Sequence, residues 1–284
     1  MNRIIRNVAQ TYQIFSNLSL DIVAGVVCNM LPLPYVFGFE PGPGWYLGLP
    51  LATWFIYLAD HLADNLFNPY VITERHQFIR DNRNQVLNLL MGIGVLLVII
   101  LYYYFDLALF LSGIITGMLC VLYFTLNRIR HPFFHLIYNK ELVVAIVYAT
   151  GFYAIAGMYL PLLHPWLVYY LLLIGLVYQN ILMISILEIK TDRNNKQFSW
   201  ASAMGERFSN KMFVVISLIC LLLMIAAYIT FPQLNPLLLY GYLTIWFAQV
   251  ILFNWLAHRM HEGTFRKISE MIFWIPLLFY LLLK

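Results

Sequence analysis

Long apolar segments separated by short polar connections run through almost the whole chain. Because a helix rises about 1.5 Å per residue, about 20 apolar residues are needed to cross a hydrocarbon core of about 30 Å. Segments of roughly this length predict an all-α polytopic membrane protein, a bundle of about nine transmembrane helices. The predicted spans are residues 15–36, 45–62, 86–105, 107–126, 142–160, 166–187, 212–231, 237–256 and 268–283.

Asp106 alone separates the third and fourth predicted spans. Together these two segments are about twice as long as one crossing requires, so the sequence predicts a tight turn at Asp106 between antiparallel helices. Composition agrees with a membrane location, because 62% of the residues are hydrophobic and only 11% are charged. A soluble domain has about 25% charged residues. Most side chains of this chain must therefore face lipid or one another.

The positions of the basic residues indicate the orientation, since Lys and Arg are enriched in short cytoplasmic loops. With nine crossings, every basic residue except Lys284 falls on one side of the membrane. We therefore expect the N-terminus to be cytoplasmic. We expect the protein to be integral to the plasma membrane, specifically a bacterial inner membrane. The one-sided basic residues are Arg3, Arg6, Arg75, Arg80, Arg83, Arg128, Arg130, Lys140, Lys190, Arg193, Lys196, Arg207, Lys211, Arg259, Arg266 and Lys267.

The chain shows no Ser/Gly linker, low-complexity tract or internal repeat, which predicts a single transmembrane domain over residues 1–284. Cys28, Cys120 and Cys220 fall in separate apolar segments without a C-x-x-C pair, so they indicate neither a disulfide framework nor a zinc site. The net charge of +4 is explained by the basic cytoplasmic loops and their attraction to anionic lipid. It calls for no nucleic acid partner.

Two pairs of acidic residues stand at the cytoplasmic ends of predicted spans. Asp60 and Asp64 form the first pair, and Glu188 and Asp192 form the second. An i, i+4 spacing puts both carboxylates of a pair on one helical face, about 5–6 Å apart at Cβ. The helix dipole disfavours negative charge at a helix C-terminus, and two carboxylates spaced i, i+4 also repel each other. Each pair therefore requires a cation, either a metal ion or basic side chains. Salt bridges at an ordinary membrane interface are the simpler interpretation of either pair alone.

The two motifs resemble those of the UbiA superfamily of intramembrane prenyltransferases, which have nine transmembrane helices and two aspartate-rich motifs on the cytoplasmic side. The first family motif is similar to residues 56–64, I-Y-L-A-D-H-L-A-D, with Arg75 in the following loop. The second is similar to residues 188–192, followed by Ser199, Ser202 and Gly205. In span count and motif placement, the resemblance covers nearly the whole chain.

The chain departs from the family pattern at several motif positions. Ile56 and Tyr57 replace the opening Asn-Asp, Glu188 stands where Asp is usual, His76 replaces Pro, and Lys196 lies where another carboxylate often falls. The site has lost oxygen ligands. The chain therefore resembles a divergent member of the family with degenerate aspartate motifs.

The resemblance implies an Mg²⁺-dependent enzyme that moves an isoprenyl group from a prenyl diphosphate to an unknown acceptor. It implies that Asp60, Asp64, Glu188 and Asp192 are catalytic and bind Mg²⁺, a cation that prefers hard oxygen ligands. The diphosphate contacts are expected from Arg75, Arg128, Lys140 and Arg193, with Arg128 and Lys140 as alternatives for one family lysine. The prenyl chain is expected in an apolar tunnel among the helices, within membrane lipid.

Further polar and aromatic side chains are weaker candidates. A tyrosine face could stabilise an allylic cation through its π quadrupole, although packing is the more frequent role of such residues. Asn180 and Ser185 could meet substrate, or could simply make hydrogen bonds between helices. Asp21 could also meet substrate, or could be a paired residue near the headgroup region. The tyrosine candidates are Tyr57, Tyr123, Tyr148 and Tyr178.

Two other functions compete with the prenyltransferase. A non-catalytic UbiA-like protein could keep the lipid-sized cavity and serve as a subunit or lipid-binding component of a membrane complex. A transporter could use the carboxylates for ion coupling, but it should show inverted repeats with helices broken at the midplane. The sequence shows no such repeat, and its carboxylates sit at helix ends.

Overall fold

The computed structural model describes residues 11–67, 73–129, 138–161, 164–195 and 198–283. Helices make up nearly all of these residues, and no strand occurs among them. Residues 11–17 are helical and lead into α1 (Leu20–Met30), α2 (Pro32–Phe37) and α3 (Pro43–Phe67). The later helices are α4 (Glu74–Asp81), α5 (Arg83–Tyr103), α6 (Leu107–Leu126), α7 (Lys140–Tyr159), α8 (Trp166–Leu187), α9 (Ile189–Asn194), α10 (Trp200–Met204), α11 (Glu206–Thr230), α12 (Leu237–Ile251), α13 (Glu262–Met271) and α14 (Ile275–Leu283).

The described residues contain seven helices long and apolar enough to cross a membrane, so the chain is an all-α integral membrane protein. They are Leu20–Phe37, Arg83–Tyr103, Leu107–Leu126, Lys140–Tyr159, Trp166–Leu187, Glu206–Thr230 and Leu237–Leu256. Two of the nine predicted spans, residues 45–62 and 268–283, are not among these seven helices. The 25-residue helix α3 is long enough, but its last turns carry Asp60, His61 and Asp64. The last apolar segment is short, because α13 and α14 are joined by a 3₁₀ turn.

The first predicted span is interrupted twice. Ser19 adopts a left-handed conformation with φ 58° directly before α1, and its hydroxyl lies 3.0 Å from His61 Nε2 of α3. Pro32 then begins α2, which is followed by Gly38, a residue with φ 70°. A left-handed conformation is unfavourable for residues with a Cβ, so the Ser19 hydroxyl contact with α3 helps hold this turn.

The predicted turn at Asp106 is present. Helix α5 ends at Tyr103, and Asp106 caps α6 by accepting a hydrogen bond from the backbone N–H of Ala108 at 3.2 Å. The Tyr159 hydroxyl donates to the other carboxylate oxygen of Asp106 at 2.7 Å. This short aspartate cap explains how two spans can be joined by three residues.

Helix α8 lies at the centre of the bundle, where many of its residues are buried against α7 and α11. The Gln249 amide donates to the carbonyl oxygen of Leu176 at 3.1 Å and joins α12 to α8. Helices α5 and α6 instead expose apolar side chains over most of their length, as lipid-facing helices do. The bundle therefore has a packed centre around α8 and a lipid-exposed pair at its edge.

Several helix ends meet at one end of the bundle. These are the last turns of α3 and α8, the first turns of α7 and α13, and the short helix α9. Most of the charged side chains discussed below lie there, and we call it the basic end. The meeting of these ends creates the cavity described next.

Candidate functional site

A large polar cavity opens among the helices at the basic end, with a volume of about 1300 Å³. Residues of α3, α7, α8, α9 and α13 line its walls. Seven of the predicted site residues are among them: Asp60, Asp64, Glu188, Asp192, Arg75, Arg128 and Lys140. The two carboxylate pairs, which lie more than 120 residues apart in the sequence, thus face one cavity.

The first carboxylate pair lies in the last three turns of α3. Asp60, Asp64 and the intervening His61 all line the polar cavity. Lys140, at the start of α7, is close enough to interact electrostatically with both aspartates. Neither aspartate forms an ion pair within 4 Å with another described residue, and Tyr123 makes a hydrogen bond with Asp60.

The second pair is arranged differently. Glu188 follows α8 and forms an ion pair with Arg266 of α13, which raises the pKa of Arg266. Asp192 is nearly buried on α9, and burial raises the pKa of its carboxyl to about 6. A hydrogen bond from Ser199 opposes this rise in pKa, and Glu188 adds to it. In the second pair, Glu188 therefore has a basic partner, whereas burial disfavours the ionised form of Asp192.

Arg193 does not line the polar cavity, unlike the other residues expected to contact diphosphate. Its guanidinium is exposed and donates to the carbonyl oxygen of Ser202 at 3.1 Å. Successive helical residues point about 100° apart, and on the short helix α9 Thr191 and Asp192 line the cavity whereas Arg193 is exposed outside it. Arg266, which the sequence marked only as a loop residue, lines the cavity instead.

The sequence missed further cavity residues. Glu141 of α7 and Glu270 of α13 both line the polar cavity, and Glu270 lies 3.7 Å from Arg75. The spacing of Arg266 and Glu270, i and i+4, marks one face of α13 and could have identified this helix as part of the site. Glu141 had no such signal, because it is a single acidic residue at a helix start.

Unpartnered nitrogen atoms also lie in the cavity wall. Among the described residues, neither Nε of Arg266 nor Nε2 of His76 has a hydrogen-bond partner, although both atoms are buried. Burial lowers the pKa of His76. Buried polar atoms without partners are rare in native proteins and often indicate a missing ligand or water.

An apolar pocket of about 100 Å³ adjoins the polar cavity and leads between α3, α6 and α7. Tyr57, Asp60 and Tyr123 line both spaces. Gly151 lies in the apolar pocket, where a Cβ would stand 3.1 Å from Cδ1 of Leu49. Val144 and Tyr148 also line both spaces, so a charged cavity is joined to an apolar space through one aspartate, three tyrosines and a valine.

The remaining sequence candidates separate into two groups. Tyr57, Tyr123 and Tyr148 line the polar cavity, as do Asn180 and Ser185 of α8. Two others lie elsewhere. The hydroxyl of Tyr178 accepts a hydrogen bond from Asn139 at 2.5 Å, and Asp21 is fully buried with its Oδ1 bonded to the N–H of Ile22.

Whether these residues fit Mg²⁺ depends on what completes the coordination. Among the residues that the structure describes, no group of three or more His, Cys, Asp or Glu side chains lies close enough to hold a metal ion. Mg²⁺ commonly combines one or two carboxylates with water and substrate phosphate. The Asp60 and Asp64 carboxylates fit an ion completed in that way, and the site does not fit a cage of protein ligands alone.

Comparisons with protein-family models, with curated proteins and with solved structures find no match to this chain.

Proposed function

We propose that this protein is a UbiA-like intramembrane prenyltransferase that moves an isoprenyl group from a prenyl diphosphate to an acceptor at the basic end. One observation carries the proposal: a polar cavity with two carboxylate pairs continues into an apolar pocket within the bundle. A prenyl diphosphate has the same division, with a charged head and a hydrocarbon chain. The resemblance of the two acidic motifs to those of the UbiA superfamily also supports the proposal.

Cationic and hydrogen-bond-donating groups in the cavity suit the diphosphate. Arg75, Lys140 and Arg266 line the wall, and the Nε atom of Arg266 lacks a partner among the described residues. Negative charge develops on the diphosphate as its bond to the prenyl carbon breaks, and preorganised cations stabilise that charge. These side chains would therefore favour departure of the diphosphate as well as its binding.

The charge balance of the cavity favours an additional cation. Eight acidic and five basic side chains line it among the described residues, so a diphosphate would add negative charge to a wall already rich in carboxylates. Mg²⁺ held by Asp60 and Asp64 would neutralise part of the diphosphate charge. Repulsion between these two aspartates would decrease at the same time.

The apolar pocket, with a volume of about 100 Å³, suits the part of the prenyl chain next to the diphosphate. It extends from Asp60 towards Gly151, away from the charged wall. Tyr57 and Tyr123 stand where the two spaces join, and aromatic faces attract cations. In this reaction they would stabilise the allylic cation that remains when diphosphate leaves.

Asp64→Asn tests the proposal because it preserves shape while replacing a carboxylate with a much poorer ligand for a hard cation. We expect Mg²⁺-dependent transfer to fall by about 10²–10³-fold, which corresponds to about 2.7–4 kcal/mol of transition-state stabilisation. The measurement is transfer of radiolabelled geranyl, farnesyl and geranylgeranyl diphosphate to a panel of acceptors, with thermal unfolding recorded for each variant.

The matched control is Asp81→Asn, which changes an exposed carboxylate outside the polar cavity at the end of α4. Its transfer rate should equal that of the wild type. The proposal would be wrong if the wild-type protein neither bound prenyl diphosphate nor responded to Mg²⁺.

A non-catalytic UbiA-like subunit or lipid-binding component is the second candidate. The ion pair between Glu188 and Arg266 favours it, because it occupies a carboxylate that the family motif assigns to metal binding. For this function, Asp64→Asn should leave lipid or partner binding intact and raise stability by relieving repulsion from Asp60. Identification of a phospholipid in the purified protein by mass spectrometry would support it.

A further inference from the structure

Glu141 is a buried carboxylate in the cavity wall with one oxygen engaged and the other without a partner. It is the second residue of α7 and is 2% exposed. Its Oε1 accepts hydrogen bonds from the backbone N–H of Trp200 at 2.8 Å and from the Ser185 hydroxyl at 3.2 Å. Its Oε2 has no hydrogen-bond partner among the described residues.

Three helices fix the position of this carboxylate. Glu141 belongs to α7, Ser185 to α8, and Trp200 begins α10. The start of α10 is itself held by a capping box between Ser199 and Ser202. The side chain of Glu141 is therefore held by its neighbours through Oε1, which leaves Oε2 as the oxygen available for a further hydrogen bond.

A second hydrogen-bond acceptor without a partner lies further along the same cavity. Asn180 of α8 is 6% exposed and lines the polar cavity, and its Oδ1 has no partner among the described residues. It precedes Ser185 by five residues, or about 7.5 Å along the helix axis. Glu141 and Asn180 thus both bring an unpartnered hydrogen-bond acceptor to residues that line one cavity, and a ligand with hydrogen-bond donors would satisfy them.

The location of Glu141 relates it to the transfer site. Lys140, its neighbour in the chain, interacts electrostatically with Asp60 and Asp64. Val144 lies three residues further along the same face of α7 and lines both the polar cavity and the apolar pocket. A group bound at Glu141 would therefore lie beside the junction where the prenyl carbon attached to diphosphate is expected.

We propose that Glu141 binds the acceptor of the transfer reaction through an O–H or N–H group and accepts its proton, with Asn180 as a second contact. This inference rests on the proposed prenyltransferase function. It identifies the acceptor class as a phenol, alcohol or amine, since each carries a hydrogen on the nucleophilic atom. A carboxylate oxygen with a free lone pair is the partner that such a group requires.

The proposed step is balanced in atoms and electrons. The bond between the prenyl carbon and the diphosphate oxygen breaks, and diphosphate leaves with the electron pair. A lone pair on the acceptor oxygen or nitrogen forms the new bond to that carbon. The proton of the acceptor passes to Oε2 of Glu141, which acts as the general base.

Glu141→Gln tests this role because the amide oxygen can still accept from Trp200 and Ser185, while the basic carboxylate is lost. We expect the variant to bind radiolabelled farnesyl diphosphate as the wild type does. Transfer to phenol, benzyl alcohol or benzylamine should fall at least 100-fold, and the acidic limb of the pH–rate profile should disappear. Anisole, which has no O–H, should not be prenylated by either protein.

Asn180→Leu supplies a second variant that does not disturb the start of α10. It should raise KM for the prenyl acceptor about tenfold and leave farnesyl diphosphate binding unchanged, since the side-chain amide that would bind the prenyl acceptor is removed. The control Ser185→Ala removes one hydrogen bond to Glu141 but keeps the base, so its pH–rate profile should retain the acidic limb.

The outcomes separate the two proposals. Wild-type transfer rates and an unchanged pH profile in Glu141→Gln, with an unchanged acceptor KM in Asn180→Leu, would overturn the role of Glu141 and leave the prenyltransferase proposal standing. Absence of farnesyl diphosphate binding by the wild-type protein would overturn both. If Glu141→Gln lost farnesyl diphosphate binding and transfer to the same extent, Glu141 would belong to the diphosphate site. Its role as the base that takes the proton of the prenyl acceptor would then be overturned.

Discussion

The four acidic residues of the two motifs have different chemical environments. Asp60 and Asp64 form no ion pair within 4 Å among the described residues, whereas Glu188 is bound to Arg266. Asp192 is nearly buried and resists ionisation. At the scale of single residues, a cation is therefore needed most at Asp60 and Asp64, and the second motif is partly neutralised by the protein itself.

Asp192 should make stability depend on pH. Burial raises the pKa of its carboxyl from 3.8 to about 6, so the folded protein binds this proton more tightly than the unfolded protein does. The resulting stabilisation is fully present below about pH 4 and is lost as the pH rises through about 6. Between pH 5 and pH 7.5, about 1.4 kcal/mol should be lost. Asp192→Asn should remove this dependence.

Thermal unfolding in detergent with a chelator, at pH 5 and pH 7.5, measures the effect. The Tm of Asp192→Asn relative to the wild type should be higher at pH 7.5 than at pH 5. Asp81→Asn, an exposed substitution, should show no such difference. A relative Tm for Asp192→Asn that is the same at both pH values would contradict the assignment.

At the scale of helices, α8 and α11 pack closely at Gly175. A Cβ at this position would lie 2.5 Å from Sγ of Cys220. Small residues allow such close approach between membrane helices, where van der Waals contact is a principal attraction. Gly175→Ala should therefore destabilise the protein by about 1–3 kcal/mol, the usual cost of overpacking. Thermal unfolding in detergent is the measurement.

Two further variants make this test specific. Cys220→Ala combined with Gly175→Ala removes the clashing sulfur, so the double variant should recover most of the lost stability. Gly117→Ala on α6 adds a methyl group where no atom lies within 4 Å, and it should leave the Tm unchanged or raise it slightly. Equal losses in Gly175→Ala and Gly117→Ala would contradict the packing explanation, because only the methyl group at residue 175 meets Cys220.

The end of α3 shows how helix electrostatics contribute to the site. Helix α3 ends at Phe67, so Asp64 lies in its last turn, where the helix dipole disfavours negative charge by about 0.3–1 kcal/mol. Asp60 adds repulsion from one turn earlier. The helix end is stabilised by any cation at this position, and Lys140 of α7 supplies one.

At the scale of the whole molecule, the distribution of basic residues predicts the membrane orientation. The N-terminus and the loops containing Arg75, Lys140, Arg193 and Arg266 should be cytoplasmic. Single cysteines at the exposed positions Asn84 and Asn194 should then resist an impermeant maleimide in intact cells. A cysteine at Gln233, an exposed position in the opposite connection, should react.

The background for this labelling lacks the three native cysteines, which are all buried. Permeabilised cells provide the control, because all three engineered positions should react there. Labelling of Asn194→Cys from outside intact cells would reverse the orientation.

The sequence by itself determined that this is a helical membrane protein, because lipid leaves no other partner for the backbone of long apolar segments. It also determined that Asp60 and Asp64 share a helical face, since an i, i+4 spacing is local geometry. Only the tertiary structure decided that Glu188 pairs with Arg266, 78 residues away, and that Arg193 lies outside the cavity. It alone revealed Glu141, because burial and a missing partner depend on how distant helices pack.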